Sequence, residues 1–363
     1  MSWEFDKRLK QLKSVEKSLI PTKSFGSVPV NVVLVYPNTY SLGMANLGFH
    51  SIYQEINSRD DALCHRAFLS LFQETSNYHN EIKVFESEQS IDSYDLIGFS
   101  VAFEMDYINI LKILEFSKIP LLAKERESGP IIMGGGPVIT FNPEPLTPFF
   151  DFFVIGEGEE VIHEIIDIYK SVSSKSKQEM LEALSQIEGV YVPSLYDISY
   201  DGKGGVDKFV VKSPAPVAIK KRWIKELDNY NTESVIITPN TEFKDMFLLE
   251  ISRGCGRNCR FCMAGYCYRV PRARSLDKVL ERAEFGARFK KKIGLVGAAI
   301  SDYPYIDELA EELVKNDIKF SVSSLRADSL REPLMRGLRA SGHKTLTIAP
   351  EAGSERLRKV INK

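Results

Sequence analysis

Short apolar runs that stop at glycine or a polar turn and pass into helical spacing recur along this chain, and that alternation constrains the fold more than any other feature. VNVVLVYP, with Asn31 inside it, is a β-branched run ended by Pro37 and Asn38, and SLGMANLGFHSIYQEIN follows with the spacing of a helix. DLIGFSV precedes a helical stretch from about Asp106 to Phe116, while PIIMGGGP and FFDFFVIGEGEE repeat the order of strand, glycine-rich turn and helix. Such alternation predicts an α/β fold with a doubly wound parallel sheet.

Between about Ser171 and Asp245 the rhythm breaks into short strand-like pieces, GVYVPSLYDISY and KFVVK, split by DGKGG and prolines, which reads as a connector. From Met246 it returns. FLLEIS, IGLVG, KFSVSSL and TLTIAPE read as four strands, with helices expected over about 276–289, 305–315 and 332–340, and SERLRKVINK opening a fourth. Four βα units in succession predict a barrel or partial barrel with its chemistry at the carboxyl ends of the strands. A full barrel takes roughly 250 residues, so 246–363 is expected to be its N-terminal part, cut off after the fourth strand. The expected division is a leader over 1–27, a doubly wound domain over 28–170, a connector over 171–245 and the barrel segment over 246–363.

Forty-seven basic against 49 acidic residues leave a net charge of −2, so no global electrostatic case for a nucleic-acid or membrane partner exists. The amino terminus is charged throughout, and no segment approaches the roughly 20 apolar residues of a membrane span; a cytoplasmic location is expected. Of five cysteines only Cys64 lies outside 255–267. That clustering favours a metal or redox site over a disulfide framework.

CGRNCRFC sets Cys255, Cys259 and Cys262 at x3 and x2 spacing just beyond a strand, with Gly254 and Gly256 to let the backbone turn. Cysteine thiolates are the ordinary ligands of iron–sulfur clusters, which usually take four, so three would leave one iron open. The alternative is a zinc site with Cys267 as the fourth ligand. Structural zinc sites usually place their second ligand pair about a dozen or more residues on, which this packed run does not do. Cys267 otherwise reads as a small buried residue or a reactive thiol.

The cysteine motif resembles that of the radical S-adenosylmethionine (SAM) superfamily. The resemblance implies a [4Fe-4S] cluster whose open iron takes the amino and carboxylate groups of SAM, and reductive cleavage to a 5′-deoxyadenosyl radical. It further implies that Phe261 packs near the adenine, that Gly297 and Asp302 in GAAISDY stand where a glycine-glycine-glutamate stretch receives the SAM amino group, that Ser324 and Arg326 meet the SAM carboxylate, and that Glu351 in APEAGSERL holds the ribose hydroxyls. A reductant such as flavodoxin or ferredoxin is the implied partner.

More narrowly, YPNTYSLGMANLGFHS, GFSVAFEMDYINIL, GGGPVITFNPEPLTPFFDFFVIGEGEE, LEISRGCGRNCRFCMAGYCYRVPRARS and LTIAPEAGSERLRKVINK resemble a largely uncharacterised bacterial family of radical SAM proteins with an amino-terminal, Rossmann-like domain of the cobalamin-binding type. In such domains the corrin lies on the carboxyl ends of a parallel sheet and glycine-rich turns admit its nucleotide tail, which puts Gly134, Gly135, Gly136, Gly156 and Gly158 forward as cobalamin contacts. The D-x-H-x-x-G signature of a lower axial histidine is absent, and His50 reads as a helix residue. Either cobalamin binds without a protein histidine, or the domain kept the fold and lost the cofactor.

Three functions are therefore expected in order: a radical SAM enzyme, such as a cobalamin-dependent methyltransferase; a cobalamin-independent one acting on RNA; and a zinc-binding interaction module. For RNA, Arg269, Arg272, Arg274, Lys278, Arg282 and Lys290 to Lys292 are a candidate phosphate-binding run, and a solvated helix face is the alternative.

Overall fold

The two stretches of βα rhythm form two parallel sheets. The computed structural model describes residues 3–72 and 82–363, and the chain divides into two units, one up to Ile224 and one from Lys225. No helix among the described residues is long and apolar enough to cross a membrane.

In the first unit α1 (Trp3–Val15) precedes β1 (Val30–Thr39), α2 (Leu47–Ser58), β2 (Ala62–Ser70), β3 (Leu96–Ser100), α3 (Tyr107–Phe116), β4 (Ile131–Gly135), β5 (Phe152–Val154), α4 (Val161–Ser171), α5 (Lys177–Leu184) and β6 (Val190–Tyr191). The sheet order is β2-β1-β3-β4-β5-β6, parallel throughout except for β6, which runs antiparallel to β5. Strand order reverses at β1, so the connections leaving β1 and β3 diverge and open a crevice at their carboxyl ends. Val32, Val33, Val35, Leu96, Ile97 and Ile132 are buried as continuous runs, as parallel strands covered on both faces require.

The apolar pattern does not announce β2. Cys64, His65 and Arg66 interrupt it, yet the whole strand is buried. Each polar side chain has an internal partner: His65 Nδ1 lies 2.6 Å from the Tyr94 hydroxyl, and Arg66 donates to Glu16 at 2.5 Å and Glu86 at 2.6 Å. Glu16 immediately follows α1, so the charged leader is fastened to the sheet edge, with Leu9 and Leu12 buried beneath it. Beyond 171 the chain adds α5, opened by a capping box between Ser176 and Glu179, then β6 and a hairpin of β7 (Tyr196–Tyr200) and β8 (Val206–Val211).

The second unit holds β9 (Met246–Glu250), β10 (Ser252–Arg253), β11 (Arg272–Ala273), α6 (Leu276–Ala287), β12 (Lys292–Val296), α7 (Ile306–Lys315), β13 (Lys319–Val322), α8 (Glu332–Ala340) and α9 (Glu355–Ile361). β9, β12 and β13 form a parallel sheet in that order. Phe247, Ile293, Leu295 and Phe320 are buried with Val279, Ala283, Leu309 and Leu334 from the helices.

One expectation fails. TLTIAPE is not a fourth strand: residues 343–350 carry no strand, and Ile348 is 43% exposed. A parallel strand repays its pairing by burying both faces under helices. Here the carboxyl end of α9 is drawn off to the cysteine loop, where Ile361 and Val360 carbonyls accept from Arg260.

Candidate metal centre

β9 carries Glu250 to the carboxyl end of its sheet, and the chain then leaves in a loop closed at its neck by β10 and β11, which pair Ser252 with Ala273 and Arg253 with Arg272. Under the neck lies a clasp of charges. The Glu250 carboxylate accepts from Arg253 and from Arg274, each at 2.9 Å. The Arg274 side chain is only 2% exposed, and it also donates to the carbonyls of Glu250 at 2.8 Å, Tyr230 at 2.6 Å and Leu227, and to the Thr232 hydroxyl at 2.9 Å. Burial alone would raise the Glu250 carboxyl, but the charges and hydrogen bonds of the two arginines outweigh it and hold the group below the ordinary carboxylate range.

Inside the loop Cys255 and Cys262 are half-buried and Cys259 is buried, all as free thiols. Cys262 N–H donates to the Cys259 carbonyl at 3.1 Å, closing a turn around the last two. Gly254 has φ +85°, and a Cβ there would stand 2.2 Å from the Tyr268 carbonyl oxygen. Among the described residues no three His, Cys, Asp or Glu side chains converge on one ion-sized point. An iron–sulfur cluster does not require that, since each thiolate takes a separate iron, and three free thiols on one loop are the right donor set. Cys267 ends a short helix, Ala264–Cys267, and is buried.

The other expected SAM contacts fall into two groups around this loop. At the ends of β12 and β13 the Ser324 hydroxyl donates to the Gly297 carbonyl at 3.2 Å, and Arg326 N–H donates to Ser301 at 3.1 Å. Asp302 is taken up by Arg257, from between two of the cysteines, at 2.8 and 2.7 Å. Hydrogen bonding from Arg257 holds the Asp302 carboxyl below its usual range. Arg326 pairs with Asp328 at 3.0 Å. On the other side, Lys363 Nζ lies 3.2 Å from Glu351 and 5.9 Å from the centre of the Phe261 ring, so Phe261 and Glu351 share a neighbour.

A family model described as the radical SAM superfamily matches residues 249–363, and one described as radical SAM proteins, N-terminal, matches residues 48–193. The chain belongs to the radical SAM superfamily. It is 33% identical over 342 residues to an uncharacterized protein of Methanocaldococcus jannaschii, covering 92% of this chain and 63% of that one. It is also similar to the radical SAM methyltransferase TsrM of Kitasatospora setae, solved with cobalamin and a [4Fe-4S] cluster bound, with TM-score 0.50, 15% identity, and 87% of this chain and 59% of that chain covered. At that identity the likeness concerns fold alone. The chain spans about three fifths of the length of both relatives.

In the N-terminal part of this radical SAM protein the glycines have local duties. A Cβ on Gly136 (φ +114°) would meet the Val101 carbonyl at 2.5 Å, and one on Gly156 (φ +116°) the Arg222 carbonyl at 2.0 Å. Gly134 faces Phe150 and Phe153 at 3.0 Å and Gly158 faces Ile52 at 2.7 Å; only Gly135, with Val154 at 3.9 Å, has ordinary clearance. The chain's own packing therefore accounts for four of the five. His50 is buried with Nε2 3.1 Å from the Met44 carbonyl, and burial lowers its pKa to about 4.

Three members of the basic run are paired within the chain. Arg274 sits in the clasp, Arg282 pairs with Glu233 and Glu281, and Lys278 with Glu281. Arg274 is neither a phosphate contact nor part of a solvated face. Glu250, Arg253 and Arg257, which no sequence motif singles out, shape the loop. Their signal was position: each stands within a few residues of a motif cysteine.

Proposed function

We propose that this radical SAM chain holds a [4Fe-4S] cluster on Cys255, Cys259 and Cys262 and binds SAM beside it for reductive cleavage. One observation carries the reading: a loop with three free thiols hangs from a short paired neck at the carboxyl ends of parallel strands, where barrel chemistry resides. When bound, the cluster supplies the electron that breaks the SAM sulfonium bond. The chain's own residues position and shield. The exposed face of Phe261 suits an adenine and the Glu351 carboxylate offers acceptors for ribose hydroxyls, while Arg326, whose fork holds Asp328, would meet a carboxylate through the N–H groups that this pairing leaves over. A small electron-transfer protein such as flavodoxin or ferredoxin is the proposed reductant.

The finer reading is methyl transfer through cobalamin in the first unit. The crevice between the ends of β1 and β3 supports it, because Leu42, Phe103, Met105 and Ile108 leave apolar surface exposed there. His50, turned to Met44, is not a cobalt ligand in this arrangement. TsrM offers a precedent for both cofactors in one chain. The RNA reading loses support with Arg274 and Arg282 internally paired.

Anaerobic reconstitution with iron and sulfide should load about four irons per chain, and Cys259→Ala should abolish the cluster's electron-spin resonance signal. Dithionite and SAM should then yield 5′-deoxyadenosine. A single tightly held zinc with no iron–sulfur band would replace the reading with the zinc one. Purification with hydroxocobalamin tests the methyl-transfer reading, and a protein lacking any corrin absorbance would end it.

A further inference from the structure

We infer that Arg257 is a positioning residue, clamping the cysteine loop to the ends of β12 and β13 through a side-on ion pair with Asp302. Arg257 stands between Cys255 and Cys259, so wherever its guanidinium is anchored, the first two motif thiols are carried with it. Its Nε and Nη2 donate to the two oxygens of Asp302 at 2.8 and 2.7 Å, the two-pronged geometry in which arginine differs most from lysine. Its remaining Nη1 reaches Asp328 at 3.3 Å.

The anchor points are themselves tied down. Asp302 closes the short helical turn Ile300–Asp302 after β12, and Ile300 N–H is 3.4 Å from the Ser324 hydroxyl. Asp328 is gripped by Arg326 at 3.0 and 3.1 Å, and Ser301 bridges to Arg326 N–H and Ser329 at 3.1 and 2.8 Å. Two arginines and two aspartates thus form a neutral network joining the loop to two strand ends. Both carboxylate oxygens of Asp302 accept from Arg257, so Asp302 serves the loop. The clamp shares no residue with the Arg253, Glu250 and Arg274 clasp, so neck and cysteines are held by separate contacts.

The Arg257 side chain is 40% exposed and Asp302 is 23% exposed, so the pair is screened and its effect is modest. In the metal-free chain, Arg257→Gln and Asp302→Asn should each speed alkylation of Cys255 and Cys259 by about threefold to fivefold, the range a screened pair with good geometry contributes. The double variant should be no faster than either single one. The charge-swapped pair Arg257→Asp with Asp302→Arg should recover part of the protection. Amide exchange in α7 should be unchanged in all of them. Singles that alkylate like wild type, effects that multiply in the double, or equal acceleration of exchange in α7 would each overturn the clamp.

The cluster reading enters only through a second measurement: iron release from loaded protein to a chelator should accelerate by a similar factor. A wild-type chain that takes up no iron would remove the cluster reading while leaving the alkylation result to decide the clamp.

Discussion

Replacing Gly254 by alanine tests how the loop neck is built. Gly254 has φ +85°, a backbone conformation that costs a residue with a side chain about 1–3 kcal/mol. The added Cβ would also stand 2.2 Å from the Tyr268 carbonyl oxygen and 3.2 Å from Pro271 Cα. Both are backbone atoms, so no rotamer change relieves the contact, and the returning strand of the loop must move. The adjacent ladder is two residues long and offers little resistance. At roughly 4 °C per kcal/mol for a unit of this size, the melting midpoint of the second unit should fall by about 4–12 °C, and iron loading should drop. Gly256→Ala is the matched control: its nearest neighbour is Pro271 Cγ at 3.5 Å, an ordinary contact, and its φ is not positive. It should melt within about 2 °C of wild type and keep its iron. Thermal melting followed by circular dichroism, with iron per chain after anaerobic reconstitution, reads both. If the two variants behave alike, the argument from φ and clearance is wrong.

Arg274→Met should cost about 3–5 kcal/mol in denaturant unfolding, because it leaves Glu250 largely buried with one partner and strands three carbonyls; a loss under about 1 kcal/mol would show the clasp to be peripheral. His50 has a reference pKa of 6.5 lowered to about 4 by burial, so the unfolded chain takes its proton first. Its contribution is whole above pH 6.5 and declines towards pH 4, by about 3 kcal/mol in total. His50→Gln should flatten that part of the stability profile, and an unchanged slope would refute the assignment. Cys267→Ser should retain full iron, whereas serine at Cys255 or Cys262 should not; equal losses at all of these would make Cys267 a ligand.

Long apolar runs such as Val32 to Val35 and Ile131 to Met133 were legible because parallel strands bury both faces and need no polar alternation. β2 was not, because Cys64, His65 and Arg66 acquire their partners only from Tyr94, Glu16 and Glu86, distant in sequence. The TLTIAPE segment misled for the opposite reason: a strand-like composition promises pairing but does not supply a neighbour or a covering helix. At the site, cysteine spacing is a local property and could be read directly. The pairing of Arg257 with Asp302, 45 residues apart, and the burial of Arg274 could not, since charge in a sequence does not say which charges will meet. Glycine turns do not decide the case for cobalamin, because a missing side chain looks the same whether a ligand or the chain's own carbonyl occupies the space.

The frame around the cysteine loop borrows nothing from the cysteines' sulfur. The β10 and β11 ladder, the Glu250 clasp and the Arg257 clamp are made of backbone, carboxylate and guanidinium groups that oxygen does not attack. Loss of the proposed cluster is therefore expected to leave the housing standing, with its three cysteines in place to be refilled.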